Sequence, residues 1–254
     1  MPDNFYGGLD FGTSGARISI INFHEELIYS NSVPYLYSFK NPNSWINSCE
    51  KLLVGLPIEI KINLNKLAIS GTSGTLIASN LQGEPLGEAI PYDQACSENK
   101  ILLESLTSGE DHLRTPYSSL AKALKLINQY GTNILLRHQS DWITGWFLKD
   151  WTYGEESNNI KLGWDLIKES WPKSYINTSW QKCLPQIIKS GQIIGQVHSS
   201  IAENFKLNKK LILISGTTDS NASLIAAGLE KEDGLTVLGT TIVVKSIIDK
   251  PIKE

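Results

Sequence analysis

Two short segments of the sequence combine glycine with hydroxyl residues directly after an apolar stretch. The first is Gly12-Thr13-Ser14-Gly15, and the second is Gly239-Thr240-Thr241. Backbone N–H groups can approach phosphate oxygens where side chains are absent, and Thr or Ser hydroxyls add further donors. Both segments therefore suit a polyphosphate, although a Gly-Thr turn taken alone is more often a simple hairpin.

The first segment differs from the common nucleotide and hydrolase motifs. Gly7 and Gly12 have the glycine spacing of a Walker A loop, but Thr13 stands where that loop needs Lys. No G-x-G-x-x-G follows a predicted strand, which disfavours a Rossmann dinucleotide site. A serine hydrolase is also disfavoured, because Ser14 lies in a predicted hairpin rather than in a strand-to-helix turn.

Asp10 and Asp219 each come at the end of an apolar stretch, which is where α/β folds collect functional groups. Asp219 has two interpretations. It could cap a helix predicted over residues 220–229, whose buried stripe would be Ala222, Ile225, Ala226 and Leu229. Alternatively, it could act as a general base. Residue types alone favour the cap.

The elements that would position these residues alternate between strand and helix. Apolar alternation predicts strands over residues 6–11, 16–22, 27–33, 67–70 and 76–79, of which the first two form an antiparallel hairpin. Helical spacing predicts helices over residues 44–54, 118–129, 140–149 and 179–190. Residues 68–74 and 214–219 share an apolar strand followed by a Gly-Thr turn, which suggests a two-lobed cleft. The alternation predicts an α/β fold.

Composition argues against several classes of function. With 23 Lys+Arg against 26 Asp+Glu, the net charge is −3, so we expect no nucleic-acid partner and no membrane partner. No apolar run reaches the roughly 18 residues of a membrane span, and the N-terminus lacks the features of a signal peptide, which predicts a cytoplasmic protein. The 3 Cys are far apart and the 4 His form no HExxH, which disfavours disulfides and a His/Cys metal site.

Several segments, taken in their order along the chain, resemble the FGGY carbohydrate kinases, of the actin, Hsp70 and hexokinase fold superfamily. They are GLDFGTSGAR at 8–17, ISGTSGT at 69–75, GEPL with PYD at 83–93, QSDWITG at 139–145, SNNIKLGWD at 157–165, SGTTDSNA at 215–222 and GTT at 239–241. The GTSGT loop at 71–75 is most similar to the D-ribulose and xylulose-kinase-like group. The segment at 91–94 lacks the Asn and Arg that often flank the family's substrate Asp. The resemblance implies a ribonuclease-H-like lobe with a mixed central sheet flanked by helices.

The same resemblance implies a reaction and a set of site residues. The reaction is ATP-dependent phosphorylation of a ketopentose, D-ribulose or D-xylulose, at its C5 hydroxyl. Asp219 would be the general base and a sugar contact, and Asp10 would hold Mg²⁺ through water. The nucleotide phosphates would contact Gly12, Thr13, Ser14 and Gly15 from one side and Gly239, Thr240 and Thr241 from the other. Thr72, Ser73 and Asp93 would bind the sugar.

The resemblance also divides the chain. Residues 1–228 correspond to the N-terminal, sugar-binding lobe, and residues 229–254 correspond to the truncated start of the nucleotide lobe. We therefore expect negligible turnover from the chain alone, and either self-association or a complementing C-terminal lobe as its partner. A non-catalytic remnant that binds sugar or phosphate is the alternative.

Overall fold

The computed structural model describes residues 4–107, 111–231, 233–238 and 242–248. The strands are β1 (Phe5–Phe11), β2 (Gly15–Ile21), β3 (Leu27–Pro34), β4 (Leu64–Gly71), β5 (Leu76–Ser79), β6 (Leu135–His138), β7 (Tyr153–Glu155), β8 (Gln186–Ile188), β9 (Ile193–Gln196), β10 (Ile212–Ile214), β11 (Gly234–Leu238) and β12 (Ile242–Ser246). The helices are α1 (Pro42–Gly55), α2 (Ile58–Asn63), α3 (Lys100–Leu106), α4 (Ser119–Tyr130), α5 (Gln139–Leu148), α6 (Glu156–Asn159), α7 (Ser199–Phe205) and α8 (Asp219–Ala226). Short 3₁₀ turns occupy Asp111–Leu113, Ile160–Leu162, Lys173–Tyr175 and Gln181–Cys183.

A mixed sheet organises the described part of the chain, with its strands in the order β3-β2-β1-β4-β10-β9. Strands β1, β2 and β3 form an antiparallel meander. Strand β4 runs parallel to both β1 and β10, and β9 pairs antiparallel with β10. The carboxyl ends of β1, β4 and β10 therefore meet at one edge of the sheet, which is where parallel strands usually present functional groups.

The first hairpin forms because its side chains alternate between the two faces of the sheet. Ala16, Ile18 and Ile20 are buried, whereas Arg17 and Ser19 between them are exposed. This period of two is what a sheet with one buried face requires. At Gly15 an added Cβ would lie 2.4 Å from the carbonyl oxygen of Val33, so the close approach of β3 excludes a side chain.

The apolar side chains of the described residues pack into two clusters. The first surrounds the central sheet and includes Phe11 of β1, Trp45 of α1 and Leu67 of β4, which are all buried. The second lies between α4, the β5-β6 pair and the segment around Tyr175.

The prediction of a helix over residues 179–190 is wrong. The chain there makes the 3₁₀ turn Gln181–Cys183 and then strand β8, which pairs parallel with β7. Pro185 is the reason, because the residue before a proline is pushed out of the helical region, and Leu184 is accordingly extended, with ψ 150°. Ile187 and Ile188 are β-branched residues that favour a strand.

The apolar residues predicted to form the buried stripe of helix α8 are not buried in the part of the chain that the structure describes. Ala226 is exposed, Ile225 is 69% exposed, and Ala222 and Leu229 are partly exposed. The helix ends at Ala226 rather than at residue 229. The remaining predicted strands and helices are confirmed to within a few residues. Across the residues that the structure describes, no helix has the length and apolar character needed to cross a membrane.

Candidate active site

The site lies at the edge of the sheet where β1, β4 and β10 end. Asp10 of β1 is paired in register with Ser70 of β4. One residue further, Gly71 forms a parallel bridge with Thr218, which follows β10. A cavity of about 1050 Å³ opens at this edge.

Most of the predicted site residues line this one cavity. Those that do so are Asp10, Gly12, Thr13, Ser14, Gly15, Thr72 and Asp219. Arg17, Tyr92 and Thr217 also line it. Ser73 and Asp93 are not among the described residues that line it. Ser73 is partly buried in the loop after β4, and the side chain of Asp93 is exposed in the turn beside Tyr92. Gly239, Thr240 and Thr241 lie outside the described residues.

Tyr35 holds the turn that carries Thr13 and Ser14. Its phenol donates to the carbonyl oxygen of Gly12 at 2.8 Å, and its backbone N–H donates to the carbonyl oxygen of Ser14 at 3.1 Å. The N–H of Gly12 donates to the carbonyl of Gly15 at 3.0 Å, which closes the turn. Burial raises the pKa of Tyr35 above its usual range, so the phenol remains a donor. The Thr13 and Ser14 side chains are left exposed on the cavity side.

Two neighbours orient the carboxylate of Asp10. The hydroxyl of Ser70 donates to Oδ1 at 2.9 Å, and the guanidinium of Arg17 lies 3.4 Å from Oδ2. About a third of the Asp10 side chain remains exposed, at 35%. The carboxylate is therefore fixed in direction and still accessible from the cavity.

Asp219 is the first residue of α8, and the interpretation of Asp219 as the helix cap is wrong. Thr218 is the N-cap, and its hydroxyl oxygen accepts from the N–H of Asn221 at 3.2 Å. The Asp219 carboxylate instead accepts from the N–H of Ser220 at 2.7 Å. Gly216 lets this segment lie against β4, because an added Cβ there would lie 2.0 Å from the carbonyl oxygen of Ile69.

Burial is the main influence on Asp219, and it raises the pKa of this carboxyl group. The negative charge of Asp10 acts in the same direction, whereas the N–H groups of Ser220 and Ser73 and the ammonium of Lys161 act against it. A carboxylate with a raised pKa is a stronger proton acceptor than an exposed one, which is the property that a general base needs.

Side chains from distant parts of the chain hold the backbone of residues 72–74. The N–H of Thr72 donates to Oε1 of Gln139 at 3.0 Å, and the N–H of Gly74 donates to Oδ1 of Asn158 at 2.9 Å. The ammonium of Lys161 donates to the carbonyl of Ser73 at 3.0 Å. This loop is therefore rigidly positioned beside Asp219.

The sequence interpretation assigned no role to Gln139, Asn158 or Lys161. All three lie inside the segments 139–145 and 157–165 that carry the family resemblance. The family resemblance of those segments could therefore have pointed to these three residues. Tyr35 and Lys122, which also hold the loops of the site, lie outside every such segment.

Comparison with known proteins identifies the wider relationship. No model of a protein family matches the chain. The xylulose kinase of Lactococcus lactis subsp. lactis (strain IL1403) is 26% identical over 266 residues, covering 94% of this chain and 52% of that protein. The ribulokinase of Staphylococcus aureus (strain Mu3) is 20% identical over 291 residues, covering 92% of this chain and 52% of that protein.

Solved structures give the same fold. A ligand-bound xylulose kinase from Lactobacillus acidophilus superposes with a TM-score of 0.83 at 16% identity, over 98% of this chain and 55% of that one. The glycerol kinase of Plasmodium falciparum, solved with ADP, gives a TM-score of 0.80 at 17% identity, over 95% of this chain and 54% of that one. The chain is thus similar in sequence and in fold to the N-terminal portion of FGGY carbohydrate kinases.

The chain has the ribonuclease-H-like α/β fold that the sequence resemblance predicts. The curated relatives that carry this similarity are named as sugar kinases. The chain spans about half the length of the curated relatives it matches.

Proposed function

We propose that this chain provides the sugar-binding and first phosphate-binding side of an ATP-dependent pentulose kinase. The reaction is transfer of the γ-phosphoryl group to the C5 hydroxyl of D-ribulose or D-xylulose. The observation that supports it best is that Asp10, the turn at residues 12–15 and Asp219 line one cavity. Phosphoryl transfer needs mainly positioning, charge stabilisation and a proton acceptor, and these residues can provide them.

Asp219 is the proposed general base. The raised pKa of its carboxyl group favours acceptance of the proton from the attacking hydroxyl. The N–H of Ser220 fixes one carboxylate oxygen, and the N–H of Ser73 also acts on the carboxylate, so Asp219 is oriented beside the Ser73 loop.

The turn at residues 12–15 is the proposed contact for the transferring phosphate. The exposed hydroxyls of Thr13 and Ser14 lie on the cavity side and can donate to phosphate oxygens. Gly239, Thr240 and Thr241 remain the proposed second phosphate contact.

The acidic residues of the cavity fit Mg²⁺ that arrives with the nucleotide. Among the described residues no group of three His, Cys, Asp or Glu side chains could hold a metal ion by itself. Mg²⁺ is commonly bound by one or two carboxylates together with water and substrate phosphates, and the Asp10 carboxylate can serve in such a site through water. Bound there, Mg²⁺ would neutralise charge on the phosphates.

Ser73 and Asp93 are the proposed sugar contacts. The hydroxyl of Thr72 is already hydrogen bonded, at 2.7 Å to Thr75 and at 2.9 Å to Gln139. We therefore propose that Thr72 positions the backbone of the adjacent Ser73 rather than binding the sugar itself. Directional donors and acceptors of this kind suit a polyol.

We also propose that residues 1–228 form the sugar-binding lobe and that residues 229–254 begin the nucleotide lobe. The two parts contact each other where Lys245 donates to Oδ1 of Asn221 at 3.1 Å. The exposed Ile225 and Val244 offer apolar surface to a second lobe or to another copy of the chain.

Two assays on the purified chain test the proposal. Calorimetry should detect D-ribulose or D-xylulose binding, while ketopentose-dependent ADP release should be negligible, because only residues 229–254 of this chain correspond to the proposed nucleotide lobe. Binding of neither sugar would contradict the proposal. Sugar binding that persists without any turnover after a second lobe is supplied would favour the non-catalytic alternative.

A further inference from the structure

Lys122 is a fully buried lysine in the first turn of α4, with 0% exposure. Its ammonium donates three hydrogen bonds, to the carbonyl oxygens of Gly74 at 2.9 Å, Tyr92 at 3.0 Å and Tyr117 at 2.9 Å. All three acceptors are neutral backbone groups. The three donors of the ammonium are therefore fully used, and each goes to a different segment of the chain.

A buried ammonium without a bonded carboxylate carries a cost in stability, which its hydrogen bonds must offset. Removal of its charge from water is costly, and burial lowers the pKa of Lys122 to about 8. The adjacent positions of α4 show what packing alone requires, since Leu120, Ala121, Ala123 and Leu124 are apolar and buried. A Leu or Met at position 122 would continue that apolar face.

The three segments that Lys122 joins include both loops proposed to contact the sugar. Gly74 follows Ser73 in the loop after β4, and Tyr92 precedes Asp93. Tyr92 itself lines the cavity. These two loops are distant in sequence, and the ammonium of Lys122 bonds to the backbone of both.

We propose that Lys122 is a positioning residue for sugar binding, which sets the separation between the Ser73 loop and the Asp93 loop. This inference rests on the proposed function, because it assumes that these loops contact the sugar. Lys122 touches neither the sugar nor the phosphate. It acts through the two backbone segments, so its loss should affect sugar affinity more than an equally disruptive change elsewhere.

Arg137 provides a matched control. It is also a buried cation, at 2% exposure, and it donates to the backbone carbonyls of Trp151, Leu136 and Cys183. None of these four residues is among the residues that line the cavity. Arg137→Met thus removes a comparable set of buried hydrogen bonds, none of which goes to the Ser73 loop or the Asp93 loop.

The test compares Lys122→Met with Arg137→Met by thermal unfolding and by calorimetric titration with D-ribulose and D-xylulose. We expect both variants to unfold at lower temperature than the unmodified chain. Lys122→Met should weaken ketopentose affinity at least about tenfold, whereas Arg137→Met should stay within about twofold. If Lys122→Met does not fold, Lys122→Gln takes its place in the test. Gln keeps two N–H donors on a shorter side chain, so we expect a smaller loss of ketopentose affinity.

Two results would overturn the inference alone: unchanged sugar affinity in the folded Lys122 variant, or an equal loss in Arg137→Met. Absence of ketopentose binding by the unmodified chain is a distinct result. It would overturn the proposed function and, with it, the role of Lys122.

Discussion

Gly71 and Thr218 pair in parallel at the point where β4 and β10 end. Gly71 opens the loop that carries Thr72 and Ser73, and Thr218 caps the helix that begins with Asp219. This single bridge places the proposed sugar loop and the proposed base side by side. It also explains why two segments with the same strand-Gly-Thr pattern end at one cavity.

Asp219→Asn should abolish most of the turnover in an enzyme made by joining this chain to the second half of a relative such as the Lactococcus lactis xylulose kinase. Asn keeps the size of Asp but cannot accept the proton, so we expect kcat to fall by about 100- to 10,000-fold. The KM for the ketopentose should change far less. Steady-state kinetics of the fused protein check this, and an unchanged kcat would remove Asp219 from the role of base.

Gly15→Ala should destabilise the first hairpin, whereas Gly12→Ala should not. The new Cβ at position 15 would lie 2.4 Å from the carbonyl oxygen of Val33, while the nearest atom to a Cβ at position 12 is 3.7 Å away. Overpacking of this kind typically costs about 1–3 kcal/mol in the free energy of unfolding. Urea unfolding of the two variants measures it, and equal stabilities would show that β3 can move away from β2.

The free energy of unfolding should depend on pH through Lys122. Its pKa in the folded chain is about 8, against an ordinary value of 10.5, so the unfolded chain binds more protons between these values. Stability relative to Lys122→Met should therefore rise with pH across this window, by up to about 3 kcal/mol. The charged or titratable groups that act on Lys122 are Lys161, Cys96 and Asp93, and they are present in both proteins.

Urea unfolding of both proteins at about pH 7.5 and about pH 10.5 measures this difference. Comparison with Lys122→Met matters because buried Cys49, whose pKa is raised by burial, changes the stability of both proteins at high pH. A stability difference that is the same at both pH values would mean that the pKa of Lys122 is not lowered.

The sequence was sufficient for features that depend on local pattern. Alternation of Ala16, Ile18 and Ile20 with polar residues predicted the hairpin, because period two is a local property of a half-buried strand. The contacts that hold the sugar loop were not predictable in this way. Gln139 and Asn158 bond to backbone groups far away in sequence, and nothing in their neighbours indicates such partners.

Two other residues show where local reasoning gives the wrong answer. A lysine in an amphipathic helix usually predicts an exposed position, yet Lys122 is buried because three carbonyls converge on it. Thr218 and Asp219 are both good helix caps. Thr218 rather than Asp219 is the cap, because the bridge between Thr218 and Gly71 fixes where the extended chain after β10 ends and the helix begins. This bridge is a tertiary contact, which the local sequence does not show.

In the proposed site, the ketopentose binds at the sheet edge between Ser73 and Asp219. Amide chemical-shift mapping of the labelled chain during titration with D-ribulose and D-xylulose tests it most directly. We predict that the shifted amides cluster at residues 72–74, 92–93 and 219–220, with smaller changes at residues 12–15. Shifts that cluster elsewhere, such as around Arg137 and Trp151, or no shifts with either sugar, would contradict the claim.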